Sequence, residues 1–228
     1  MKYWSIRCSI NSSITGVNNA IAQVETLNNK KEYSFVNTEE EKYFVDFCHN
    51  IWEKSRLIYA DDFHAIDNHK ISMIKYFPTR KRVKEIDILS HTTQSSFSFF
   101  DFLISDKALK IFLGFNLPPF NIIPAKVEGF TTSYYLIGFS NISNSEIDFS
   151  KSIFHDDVRN QEISFHDYND YKNNKNICVS ARKIILANKY DYDVIRTPLG
   201  LFFSESLITQ IRENNVMGID VENVSLVC

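Results

Sequence analysis

A chain of 228 residues with 25 Lys and Arg against 28 Asp and Glu has a net charge of −3, which argues against a dedicated nucleic-acid binder, whose surface carries a basic excess to displace counterions. A chain of this length buries roughly 70% of its unfolded surface, enough for a core without covalent staples. Six glycines leave little room for phosphate-cradling loops, while 19 phenylalanines and 11 tyrosines suit a folded α+β chain.

Residues 2–10 alternate well enough for a strand, with Tyr3 and Trp4 as its bulk. The start of the chain, Met1 to Arg7 in sequence, lacks the apolar run and small-residue cleavage site of a signal peptide, and no window approaches 18 continuous apolar residues. The expectation is an unanchored cytosolic protein. The cysteines agree with that: Cys8, Cys48, Cys178 and Cys228 are unevenly spaced with no Cys-x-x-Cys pair, so neither a disulfide framework nor a zinc site is indicated.

Val17, Ala20, Ile21, Val24 and Leu27 recur at helical spacing and predict a helix, weakened by Asn18, Asn19, Asn28 and Asn29. Thr38 and Glu41 have the spacing of a capping box, followed by an apolar stripe of Phe44, Phe47, Cys48, Ile51 and Trp52. Cys48-His49 pairs a thiol with a base, yet neighbours on a helix point about 100° apart. His64 and His69, flanking Asp67, share no helical register that would aim both at one ion. Residues 70–77 predict a strand. The one basic cluster, Arg80, Lys81, Arg82 and Lys84, has no interleaved aromatics and reads as a solvated loop, with a nucleic-acid adaptor as the alternative. The Thr- and Ser-rich stretch after His91 is the expected boundary, giving regions 1–95 and 96–228, or one continuous domain.

Two later stretches follow one script. Phe102-Leu103-Ile104 runs into Ser105-Asp106, a helical stripe of Ala108, Leu109 and Phe112, Gly114 as the stop, and a returning strand over 122–127. Leu201-Phe202-Phe203 runs into Ser204-Glu205, then Leu207, Ile208 and Ile211, Gly218, and Ile219-Asp220-Val221. Each serine sits where an N-cap belongs, each acid complements the helix dipole, and neither serine lies in a Gly-x-Ser-x-Gly nucleophile turn. Between the copies, Tyr134-Tyr135-Leu136-Ile137-Gly138-Phe139 predicts a buried strand in a hairpin with 122–127. Residues 183–186 and 193–196 are further strand candidates. The fold class is therefore α+β, mainly antiparallel sheet with packed helices and two related strand-helix-strand units.

Residues 145–171 hold seven carboxylates, Glu146, Asp148, Asp156, Asp157, Glu162, Asp167 and Asp170, against Lys151 and Arg159. His155 beside Asp156 and His166 beside Asp167 raise a hydrolase or metal site as an alternative, but no established metal spacing such as His-Glu-x-x-His is present. A solvated acidic surface is the simpler reading, and the residues favour a non-enzyme without a cofactor.

The two copies, the opening Met1-Lys2-Tyr3-Trp4, and Tyr134-Tyr135-Leu136-Ile137 leading to Ile147-Asp148-Phe149-Ser150-Lys151-Ser152-Ile153-Phe154 together resemble the immunity proteins of bacterial polymorphic toxin systems, in particular a broad family formerly catalogued as a domain of unknown function. The resemblance covers residues 84–224, and 32–84 is an insertion relative to it. It implies stoichiometric inhibition of a cognate toxin in the cytosol. In its light Asp156, Asp157, Glu162, Asp167 and Asp170, interleaved with Tyr168 and Tyr171, are the expected contacts for a basic partner.

Overall fold

The computed structural model describes residues 2–18, 22–26, 34–92, 99–174 and 178–228. Its strands are β1 (Lys2–Cys8), β2 (Val24–Glu25), β3 (Ile74–Pro78), β4 (Ile88–Leu89), β5 (His91–Thr92), β6 (Phe102–Ser105), β7 (Phe120–Val127), β8 (Tyr134–Phe139), β9 (Ile153–Asp156), β10 (Gln161–Ile163), β11 (Val179–Ile185), β12 (Val194–Thr197), β13 (Gly200–Ser204) and β14 (Ile219–Val227). The helices are α1 (Ser12–Thr15), α2 (Thr38–Glu53), α3 (Asp106–Phe112), α4 (Tyr168–Asn173) and α5 (Glu205–Glu213). They assemble as two seven-stranded sheets, ordered β4-β6-β8-β7-β3-β2-β5 and β12-β13-β1-β14-β11-β9-β10 when each is read from its first-copy or second-copy end. The fold is α+β with mainly antiparallel pairing, and among the described residues no helix is long and apolar enough to cross a membrane.

Written in that direction, the sheets match over their first six strands and differ at the last pairing, parallel for β2–β5 and antiparallel for β9–β10. The first four pairings of each are antiparallel, antiparallel, antiparallel and parallel, and the fifth is antiparallel in both. The related units thus extend well beyond a strand, a helix and a strand: β2-β3-β4-β6-α3-β7-β8 in one corresponds to β9-β11-β12-β13-α5-β14-β1 in the other. The strand that should follow β14 is supplied from the other end of the chain, with Lys2 opposite Val227. Its equivalent, β8, follows β7 directly through the expected hairpin at Glu128-Gly129-Phe130, pairing Ala125 with Tyr134 and Phe120 with Phe139. Because β1 lies between β13 and β14, and β2 to β5 share a sheet with β6 to β8, both sheets draw strands from each side of the expected boundary at 95/96.

The unit forms for local reasons. Ser105 Oγ accepts from the Ala108 N–H at 3.2 Å and Ser204 Oγ from the Leu207 N–H at 3.2 Å, each satisfying an orphan donor of the first turn. Tyr134 lies opposite Ser105 across β8, and Tyr3 lies opposite Ser204 across β1; both tyrosines are buried, which raises their pKa values. The helical stripes meet: Ala108, Leu109 and Phe112 share one core cluster with Leu207, Ile208 and Ile211, and the Phe112 and Phe203 rings cross edge-on at 5.3 Å.

Several expectations are corrected. Gly114 does not have a left-handed backbone, and α5 is closed by Asn215 at φ 51° rather than by Gly218. Gly218 instead allows close approach: a Cβ there would sit 2.0 Å from the Ile88 carbonyl oxygen. Helix α2 is capped by Asn37, whose Oδ1 accepts from the Glu39 and Glu40 N–H groups at 3.0 and 2.9 Å, so the Thr38–Glu41 capping box is not the device used. Val24, expected in a helix, is buried in β2 between β3 and β5, and only the single turn of α1 precedes it; Asn19, Ala20, Ile21, Leu27, Asn28 and Asn29 lie outside the described residues. Sheet pairing there outweighs a weak helical pattern.

Candidate functional site

Strand alternation decides where the acids of residues 153–171 point. In β9, Phe154 and Asp156 face inward while His155 looks the other way, because successive side chains alternate. Asp156 is therefore 1% exposed. Its Oδ1 accepts from the Val158 and Arg159 N–H groups at 3.0 and 3.1 Å, holding the turn into β10, where Asn160 takes a left-handed φ of 54°. Arg159 lies 3.6 Å from the same carboxylate. Asp156 shapes the turn and offers no surface to a partner, contrary to its expected role.

His155 pairs with Asp157, two residues on and on the same face, at 2.9 Å, rather than with Asp156. Asp157 also accepts from Ser180 Oγ at 3.0 Å and lies 3.8 Å from Arg182. The His155 hydrogen bond, followed by that of Ser180, lowers its pKa. Asp167 caps α4 by accepting from the Asp170 N–H at 2.9 Å, and this bond, with that of His166 at 3.3 Å, lowers its pKa. Asp170 in turn accepts from the His166 N–H at 2.9 Å. Asp148 is held down to about 2 by Lys151 and then Ser150. The two His–Asp pairs thus belong to separate turns, each with its own carboxylate.

Beneath the acids lies a ring cluster. Tyr171 packs on Phe149, Phe154 and Phe165 with centroids at 5.3–5.4 Å, and burial raises its pKa. Tyr168 touches Phe149 at 5.8 Å yet stays at the surface. Of the seven expected contacts, Asp157, Glu162, Asp167 and Tyr168 are exposed and Asp170 is half-buried; Asp156 is buried, and Tyr171 anchors the cluster. This segment, expected as a solvated acidic surface, carries three regular elements, β9, β10 and α4, on an aromatic base.

The other chemistry-bearing residues serve the fold. Ser105 Oγ donates to Asp87 Oδ1 at 2.9 Å and Ser204 Oγ to Asp193 Oδ1 at 2.6 Å, with both serines buried. The second oxygen of each aspartate crosses to the other unit: Asp87 Oδ2 accepts from the Met217 N–H at 3.0 Å, and Asp193 Oδ2 accepts from the Asn116 N–H at 3.0 Å. Backbone bonds reinforce both crossings, Ile88 N–H to Met217 O at 3.0 Å and Asp193 N–H to Asn116 O at 2.7 Å. A third tie is Arg196 Nε to Asp101 Oδ1 at 2.9 Å; Asp101 also accepts from the Phe139 N–H at 2.9 Å, and burial raises its pKa despite Arg196.

Cys48 is buried, with its thiol pushed up to about 12 by burial, while His49 faces solvent 3.8 Å from Glu53. His64 stacks on Phe47 at 5.6 Å, and His69 sits in an Asp67-capped turn. Arg80, Lys81, Arg82 and Lys84 are exposed on the loop after β3. Trp52, assigned above to the apolar stripe of α2, is 71% exposed. Trp52 follows Cys48 by four residues and so sits at the edge of the stripe of Phe44, Phe47, Cys48 and Ile51, about 40° beyond Cys48, on the side that faces solvent. No protein-family model matches the chain, and no curated protein matches it.

Proposed function

We propose that the protein is a non-catalytic inhibitor that binds a basic toxin domain in the cytosol and neutralises it by occupancy. The observation that carries this reading is the segment from β9 to α4, where exposed Asp157, Glu162 and Asp167 and the surface ring of Tyr168 stand on a buried aromatic base. A rigid aromatic beside carboxylates is the composition that anchors and steers a positively charged protein surface. The remaining paired polar groups support the same reading, since the Ser–Asp pairs are occupied with helix caps and the crossings between units. The resemblance to polymorphic-toxin immunity proteins points to the same class.

The test is co-expression with the C-terminal domain of the protein encoded by the neighbouring reading frame, once that domain is shown to be toxic by itself. Wild-type protein protects the cells. The triple reversal Asp157→Lys, Glu162→Lys and Asp167→Lys weakens binding by about tenfold or more and flattens its salt dependence. Protection by wild type with unchanged affinity in the triple variant removes this face from the interface, and no protection by wild type removes the function.

A further inference from the structure

The duplication separates what each unit needs for folding from what it adds. Both units share their five matched strand pairings and a capped helix, and they differ most in the connection between the strand pair β2 and β3 and its counterpart β9 and β11. In the second unit that connection carries β10 and α4, the segment discussed above. In the first it carries α2, sixteen residues long. Packing accounts for the inner face of α2 through Phe44, Phe47, Cys48 and Ile51. It does not account for the outer face, where Val45 and Trp52, seven residues apart and so stacked along one stripe, are 41% and 71% exposed. The Trp52 ring rests edge-on against Phe99 at 6.5 Å, which limits its motion and leaves most of it in water.

We infer that this outer face of α2 is a docking surface for a basic protein, with Trp52 as its central anchor. Charge selects the occupant. The helix holds five carboxylates against one lysine: Glu41 lies four residues before Val45 on the stripe itself, and exposed Glu39, Asp46 and Glu53 form a row about 100° further round the helix. A second copy of the chain laid along the same stripe would set two helices of net negative charge against each other, which like charges disfavour. A partner with lysines or arginines around an apolar recess satisfies both features: the indole fills the recess and the carboxylates meet the cations. Exposed tryptophan is the residue type that most often dominates such an interface. The surface occupies the same connection of its unit as the acidic segment does in the other, and it rests on the binding reading only in taking the partner to be a protein.

The test places a photo-crosslinking phenylalanine analogue at position 52, and separately at position 113 as a control, in cells carrying the native locus. Leu113 is 57% exposed at the end of α3, and it has no such carboxylate row beside it. The expected result is one crosslinked protein with a basic contact surface, formed from position 52, absent from position 113, and lost in the Glu39→Lys, Asp46→Lys, Glu53→Lys variant. With that protein purified, Trp52→Ala raises Kd at least ~30-fold while leaving the thermal midpoint within about 2 °C of wild type, as removal of a solvent-exposed ring should. A crosslink to a second copy, a crosslink to an acidic protein, no crosslink, or an affinity indifferent to Trp52→Ala overturns the inference. A basic partner without toxicity leaves this surface standing and removes the neutralisation reading; a toxin still neutralised by Trp52→Ala does the reverse.

Discussion

The pseudo-symmetric crossings give the sharpest quantitative expectation. Replacing Asp87 with alanine removes the acceptor for Ser105 Oγ and for the Met217 N–H, and leaves Lys107, 3.5 Å away, without that partner. Replacing Asp193 removes the acceptor for Ser204 Oγ, for Ser206 Oγ at 3.2 Å and for the Asn116 N–H. The serine hydroxyls can rotate to other acceptors, but the two backbone N–H groups are fixed, and each loses a hydrogen bond to a charged acceptor worth about 1.5–3 kcal/mol. Adding the weakened serine network, each variant should lose about 3 kcal/mol. Urea unfolding followed by fluorescence and by circular dichroism measures this; coincident transitions establish that a single free energy applies. With a slope of about 3 kcal/mol/M the midpoint falls by about 1 M urea. The duplication further requires the two variants to behave alike, within about 1 kcal/mol of each other. A shift below about 0.2 M in both, or a large effect at one site with none at the other, refutes the claim that the aspartates perform one job twice.

Gly218→Ala should cost more than about 3 kcal/mol, because a Cβ meets the Ile88 carbonyl at 2.0 Å and φ is 113°; Gly129→Ala, with φ 80° and open space around it, should cost about 1 kcal/mol, and equal losses in thermal unfolding would contradict this. Acid sensitivity should trace in part to His91, whose ring is buried near the Tyr76 ring at 6.1 Å with the Phe100 backbone as its polar neighbour among the described residues. Burial lowers its pKa from 6.5 to about 4, so the unfolded chain takes up the proton first and stability falls as pH drops from 6.5 to 4, by about 3 kcal/mol in all. His91→Phe should flatten that part of the urea midpoint against pH, and an unchanged slope would show that His91 is not responsible.

The repeated strand-serine-helix unit was legible because its signals are local: an apolar strand, a serine N-cap and a 3.6-residue stripe lie within a dozen residues. The full duplication was not. Its matching strands β8 and β1 come from the middle and the start of the chain, and the partner aspartates precede their serines by 18 residues in one unit and 11 in the other. No fixed spacing announces the pair. The glycines misled for a related reason, since Gly218 answers to a carbonyl 130 positions away in sequence rather than to its own helix. Asp156 was readable in principle, because period-two alternation from Phe154 points it inward, but seven acids in one stretch suggested a uniform surface. Trp52 fits the helical spacing, four residues after Cys48 and eight after Phe44, but it lies at the solvent edge of the stripe, so periodicity alone did not reveal its exposure.

The most direct measurement of the proposed inhibition is a titration of a purified toxic domain that this protein protects cells against, with increasing amounts of this protein while residual toxin activity is recorded. Inhibition by occupancy predicts a linear fall to zero that ends at a fixed molar ratio, independent of incubation time. Loss of toxin activity at a small fraction of that ratio, deepening with time, would mean that the protein acts by turnover, and no inhibition at excess would mean that it acts elsewhere.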